Sequence, residues 1–139
     1  MRDNDDSQMD NRATILLLEE DDDAQRVLKA GFRKHGFRVL LAVSLEDALD
    51  WMSMNYIHAD LVVVDLVRKS PEEALKIGRT LRERAKYDSQ TPLVVMPEQF
   101  SEELQGTDDN VGGNDWVCYY ADADQLHRLL ERLSLKKVA

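Results

Sequence analysis

Five consecutive carboxylates, Glu19-Glu20-Asp21-Asp22-Asp23, follow the apolar run Ile15–Leu18, and another, Asp65, follows the apolar run Leu61–Val64. Short, continuous apolar runs read as strands buried on both faces. Both acidic features therefore stand at strand ends, where the chain leaves a sheet. Like charges crowded there cost energy unless a cation, a proton or solvent relieves them. Mg²⁺ suits the task, because it takes oxygen ligands, keeps several waters and often bridges one or two carboxylates to a phosphate. Glu19 or Glu20, Asp65 and the backbone carbonyl of Val67 could together form its shell. A dinucleotide or P-loop protein would instead place a glycine-rich cradle after its first strand, with N–H groups that receive the anion. Acidic residues there repel a bare nucleotide. The run is no EF-hand either, since the central Gly and the terminal Glu spacing are missing.

The elements that must position these carboxylates alternate regularly. After the first strand, Asp22 or Asp23 is placed to cap a helix carrying Val27, Leu28, Gly31 and Phe32 on one face, with Gly36 to stop it. Phe37–Val43 reads as a second strand, and Ser44-Leu-Glu-Asp47 resembles a capping box before a helix with Ala48, Leu49 and Met52 inward. The third strand, Leu61–Val64, is β-branched and apolar, and a helix follows from about Pro71 to Lys86. Leu93–Met96 is a fourth strand, with a weaker helix near Glu98–Gln105 and a polar loop through Gly112-Gly113-Asn114. Trp116–Tyr119 is a short fifth strand. Asp122 caps a last helix with the stripe Leu126, Leu129, Leu130 and Leu133. Strands alternating with helices imply a parallel sheet with helices on both faces. In such a sheet ligands bind beyond the carboxyl ends of the strands.

Composition narrows the function classes. The 139 residues hold 18 Lys plus Arg against 27 Asp plus Glu, a net charge of −9. A net acidic chain argues against general nucleic-acid binding, which needs a basic face. Residues 1–12 are polar and acidic and read as a disordered tail, leaving one folded unit over 13–139. There is no run long enough to cross a bilayer and no secretory signal, so the expectation is a soluble cytoplasmic protein without membrane contact. Cys118 lies in a predicted buried strand and reads as inert. His35, His58 and His127 are expected far apart, on the surface, and not as a metal cluster.

Ile15-Leu-Leu-Leu-Glu-Glu-Asp, Ala59-Asp60-Leu-Val-Val-Val-Asp65-Leu66, Thr91-Pro-Leu-Val-Val-Met96 and Gly112 with Asp115-Trp116-Val117 follow in that order. In order and spacing these motifs resemble the receiver domain of bacterial response regulators, over about residues 13–134. The resemblance implies a CheY-like, doubly wound α/β sandwich: a five-stranded parallel sheet of order 2-1-3-4-5 between five helices. It implies phosphoryl transfer from a sensor histidine kinase's phosphohistidine to Asp65, with Mg²⁺ neutralising the charge. It further implies signalling by protein contact rather than independent enzymatic turnover, from a monomer or weak homodimer. Trp116 occupies the place of the family's strand-five aromatic switch.

Several positions depart from the family pattern. Pro97 stands where the switch hydroxyl belongs, and proline offers neither a side-chain hydroxyl nor a backbone N–H. Tyr119 stands where the family places a lysine, and a neutral phenol supplies no counter-charge. Both acidic-pair members are Glu, and the loop Leu66-Val-Arg-Lys-Ser-Pro lacks the usual Pro-then-Gly pattern. Two readings follow. One is a phospho-accepting receiver in a two-component relay. The other is a pseudo-receiver, a phosphorylation-independent interaction module whose face carries Trp116, Tyr119 and Tyr120.

Overall fold

A computed structural model describes residues 12–53, 58–66, 68–87 and 90–138. The expected tail over 1–11, the carbonyl of Val67 and the side chain of Met52 lie outside the described residues. The strands are β1 (Thr14–Glu19), β2 (Arg38–Ala42), β3 (Leu61–Asp65), β4 (Leu93–Val95), β5 (Asp108–Gly112) and β6 (Asp115–Cys118). The helices are α1 (Asp22–Lys34), α2 (Leu45–Ser53), α3 (Pro71–Arg84) and α4 (Ala123–Val138), with a single 3₁₀ turn at Glu102–Leu104. The sheet order is β2-β1-β3-β4-β6-β5. Its first five members are parallel and keep the expected succession, with β6 as the expected fifth strand.

Side chains along each central strand alternate between two cores, as the pleat requires. Leu16, Leu18, Val62, Val64, Val95 and Val117 pack on one side with Ala48, Ala74, Leu75 and Leu81 of α2 and α3. Ile15, Leu17, Val63, Val94 and Cys118 pack on the other with Phe32 of α1 and Leu126, Leu129, Leu130 and Leu133 of α4. A strand buried on both faces gains nothing from a polar residue, which is why the runs are apolar without interruption. Gly78 lets α3 lie close to the sheet, because a Cβ there would come within 2.5 Å of the buried Leu93 side chain.

Local chemistry sets the helix starts. Asp21, rather than Asp22 or Asp23, caps α1, its side chain accepting from Ala24 N at 2.8 Å. At α3, Ser70 Oγ accepts from Glu73 N while Glu73 Oε1 accepts from Ser70 N, a reciprocal capping box with Pro71 at the first turn.

The region 98–114 departs from expectation. Instead of a helix and a loop, one 3₁₀ turn leads into β5, which pairs antiparallel with β6 as a hairpin at the sheet edge. Gly106, at φ +87°, ends the turn, and Gly112 and Gly113, at φ +131° and +54°, close the hairpin. These backbone conformations suit glycine, which lacks a Cβ. With Asp108, Asp109 and Asn110 also poor helix formers, one turn cannot repay helix nucleation, whereas each hairpin residue gains a ladder partner. The architecture is thus a six-stranded, mostly parallel sheet flanked by four helices among the described residues.

Candidate functional site

β1 and β3 are adjacent and in register, Glu19 opposite Asp65, so the two carboxyls meet at the carboxyl end of the sheet. Glu19 is 1% exposed. Its Oε2 accepts from Asp21 N at 3.1 Å, while Oε1 is buried and no donor of the chain reaches it. Burial, a hydrogen bond with Asp65 and the charge of Asp65 push the Glu19 carboxyl up to about 9. The Asp65 carboxyl is also raised, chiefly by burial. Ionising one carboxyl of so close a pair makes the other harder to ionise. Gln25 Nε2 donates to Glu19 O at 2.7 Å and ties the strand end to α1.

These carboxyls open into a cavity of about 770 Å³ whose wall also includes Asp21, Asp23, Pro97, Glu98 and Tyr120. Among the described residues five carboxylates line it and no lysine or arginine does. Glu98 Oε1 also accepts from Arg68 N at 3.3 Å, with Arg68 at φ +65°, which ties the backbone at Arg68 to a side chain of the pocket wall. Nothing in the sequence pattern pointed to Glu98.

Glu20 is exposed and stands off the pocket wall. The chain turns into the α1 cap immediately after Glu19, so the next side chain leaves the sheet end. Of the alternatives for the first acidic ligand, Glu19 is the one beside Asp65. Among the described residues no three His, Cys, Asp or Glu are grouped to hold a metal. The site nevertheless fits a hard cation that keeps most of its waters: it offers two abutting carboxyls, one with an orphaned buried oxygen.

Pro97 is buried on the pocket wall, beside the site as its position predicted. Tyr119 is not on that wall. The strand period puts it on the Val117 side, where it packs edge-on against Phe100 with ring centroids 5.2 Å apart. Its backbone is held by the hairpin, Tyr119 N donating to Thr107 O at 2.9 Å and Gly106 N to Tyr119 O at 2.7 Å. Tyr120, on the opposite side of the chain, supplies the pocket's phenol. Trp116 packs at the margin of the α1/α4 core with the Arg132 guanidinium 5.2 Å from its ring centre. Of the expected face, Trp116 and Tyr120 pack with the α1/α4 core and Tyr119 with the core on the other side of the sheet.

Two further groupings escaped sequence reasoning. Arg79 Nε and Arg82 Nη1 each donate to the buried Asp115 carboxylate at 2.7 Å, joining α3 to β6. His35 and His127 stack with ring centroids 3.7 Å apart, contrary to the expectation of separated surface histidines, and His127 is buried. Burial, then the neighbouring His35, lowers the His127 pKa. The pairing arises because α1 and α4 share a core face, which no local pattern encodes. Cys118 is buried as expected, and burial pushes its thiol up, away from the reactive thiolate.

No protein-family model matches the chain. Over 118 residues it is 26% identical to the regulatory protein AtoC of Escherichia coli K12, covering 85% of this chain and 24% of that protein. The chain thus spans about a quarter of the length of the curated relative it matches. A response regulator receiver protein from Sinorhizobium medicae superposes with a TM-score of 0.68 at 19% identity, covering 91% of this chain and 98% of that one. A Thermotoga maritima response regulator gives 0.63 at 22%, covering 88% and 98%. The Vibrio cholerae chemotaxis protein CheY4 gives 0.62 at 17%, also covering 88% and 98%. At these identities the likeness is one of fold, and together with the motif order it identifies the chain's architecture as that of a CheY-like response regulator receiver domain.

Proposed function

We propose that the chain is a receiver in two-component signalling, accepting a phosphoryl group on Asp65 and passing the signal on by protein contact. The observation that carries this reading is the Glu19–Asp65 pair, a buried carboxyl beside a half-buried one at the carboxyl end of the central strands and opening into a pocket. In the transfer, a carboxylate oxygen of Asp65 forms the O–P bond as the N–P bond of a partner's phosphohistidine breaks. The released imidazole nitrogen takes a proton from solvent. Glu19 and Asp65 would hold Mg²⁺, with the carbonyl of Val67 as the further ligand the family resemblance implies. Bound there, Mg²⁺ would supply charge neutralisation for the phosphoryl oxygens. The chain's own part is to position Asp65, to keep Glu19 beside it and to leave the cavity open to a phosphohistidine. A sensor histidine kinase is the partner this chemistry calls for, and the chain performs no independent catalytic turnover.

A second reading, the phosphorylation-independent interaction module, is favoured by one observation. Among the described residues the pocket wall holds five carboxylates, a proline at the hydroxyl position and no cationic side chain. Phosphorylation would replace the single negative charge of an ionised Asp65 by a phosphate carrying about −1.5 to −2, adding negative charge to that environment. Intact mass spectra after incubation with a small acyl phosphate, with and without Mg²⁺, separate the readings. A Mg²⁺-dependent adduct on the wild type that is lost in Asp65→Asn is the expected result. Absence of any adduct on the folded protein would move the assignment to the interaction module.

A further inference from the structure

β5 is the last strand of the sheet, and among the described residues β6 alone pairs with it. Asp109, Asn110, Val111 and Gly112 are exposed along it. The strand is nonetheless held firmly. Gly106 N donates to Tyr119 O at 2.7 Å and Tyr119 N to Thr107 O at 2.9 Å, with Gly106 at φ +87°, the geometry of a glycine bulge. The buried Gln125 amide donates to Thr107 O at 3.2 Å and to Asp108 Oδ1 at 3.0 Å, which fixes the strand to α4. Since Thr107 is the residue bonded to Tyr119, the alternation of an antiparallel ladder turns the backbone N–H and C=O of Asp108 and Asn110 away from β6. Between them stands Asp109, opposite Val117. Burial, then the charges of Asp109 and Glu72, raise the Tyr119 phenol, so both carboxylates lie on the Tyr119 side of this edge. The turn leading in adds the exposed Glu102 and Glu103. Leu104 in that turn and Val111 in the strand are apolar yet exposed.

We propose that this edge takes up an extended segment of a partner protein, which adds to the sheet as a further antiparallel strand and carries Lys or Arg opposite Asp109. In strand addition the main-chain hydrogen bonds give affinity and the alternate side chains give specificity. Charge selects the occupant here. A second copy of the chain would bring the same acidic edge and a net charge of −9, and like charges across a strand pair are destabilising. Charged residues on an edge guard a sheet against its own kind. The same carboxylates attract a basic strand, and Leu104 and Val111 offer its apolar side chains a place to pack. The inference stands whether or not Asp65 is phosphorylated.

The probe is the capped peptide Lys-Val-Thr-Lys-Thr-Val-Lys, titrated into the full chain and followed by backbone amide NMR. Shifts centred on β5 are expected, with slowed hydrogen exchange at the Asp108 and Asn110 amides. The same peptide with Glu for each Lys should not bind. With the central lysine opposite Asp109, the two threonines face Asn110 and Asp108, so N-methylation of the threonines should abolish binding. N-methylation of the central lysine, whose N–H points away from the edge, should leave it unchanged. These comparisons leave the protein unaltered and so do not depend on a variant folding. Asp109→Lys should weaken binding about fivefold, as expected for loss and reversal of a cross-strand charge pair, whereas Glu46→Gln, on the exposed side of α2, should have no effect. The proposal is overturned if millimolar peptide moves no β5 amide, if the shifts gather around Asp65 instead, if the Glu peptide binds as well, or if methylation at the two kinds of position has the same effect.

Discussion

Burial and the neighbouring Asp65 favour the protonated form of Glu19, and this has a measurable sign. The Glu19 carboxyl is pushed from an ordinary 4.5 up to about 9, first by burial and then by Asp65. Between those values the folded protein keeps a proton that the unfolded chain releases, so stability is highest at the acid side of the window and falls as pH rises through it. Glu19→Gln should flatten that fall and raise the melting temperature at pH 8 by roughly 2–6 °C. Thermal unfolding followed by circular dichroism across the window, without divalent ions, tests this, and an unchanged slope would reject the raised Glu19 carboxyl. The two tyrosines make a second prediction. Tyr119→Lys would bury an ammonium beside Phe100 and Val117, costing about 2–4 kcal/mol in urea unfolding without improving phosphorylation. Pro97→Thr with Tyr120→Lys should put a hydroxyl and a cation on the pocket wall and increase the acyl-phosphate adduct seen by mass. The reverse ranking would return Tyr119 to the site. Sequence spacing alone could count to the lysine position, but not decide which neighbour turns inward.

Among the elements, α3 and β6 are joined by the Asp115 carboxylate between Arg79 and Arg82. Burial pushes that carboxyl up, but the hydrogen bonds from Arg82 and Arg79 prevail and hold it below its usual range. Its contribution is therefore complete above the ordinary carboxylate range and is lost as pH falls through the depressed folded value. Asp115→Ala leaves two guanidiniums unpaired and should cost roughly 2–4 kcal/mol. Arg79→Ala should cost under about 1 kcal/mol, because its half-exposed head can be replaced by water. Urea denaturation of both variants checks the ordering, and equal losses would contradict it. The hairpin is the element that sequence reading missed. Residues 98–105 carry a plausible helical face, but a single turn is marginal by itself, and the alternative gains a strand partner. Gly113-Asn114 was the available signal, since a Gly-Asn pair as a two-residue connection marks a tight hairpin.

Over the whole molecule, charge is segregated. Five carboxylates gather at the Asp65 end of the sheet and a cluster of arginines at the other, within a chain of net −9. Self-repulsion of this kind weakens the folded state and is screened by salt. Without Mg²⁺, the melting temperature should rise as NaCl is increased to about 0.3 M, because screening acts first on the crowded carboxylates. A fall would mean that attractive pairs such as Asp115 with its two arginines dominate instead. Among the described residues no helix is long and apolar enough to cross a membrane.

What the sequence determined by itself was whatever depends on local period and burial. Uninterrupted apolar runs identified the central strands, their alternation with helices gave the parallel order, and carboxylates at the ends of β1 and β3 had to meet once those strands were neighbours. Tertiary structure alone decided partnerships between distant segments. It selected Glu19 over Glu20, turned Tyr120 rather than Tyr119 to the pocket, stacked His35 on His127 and replaced a short helix by a hairpin. The physical reason is the same in each case. A strand's apolar pattern is a property of its own residues, whereas the facing of a side chain at a strand end, and the fate of a one-turn element, depend on which backbone it pairs with.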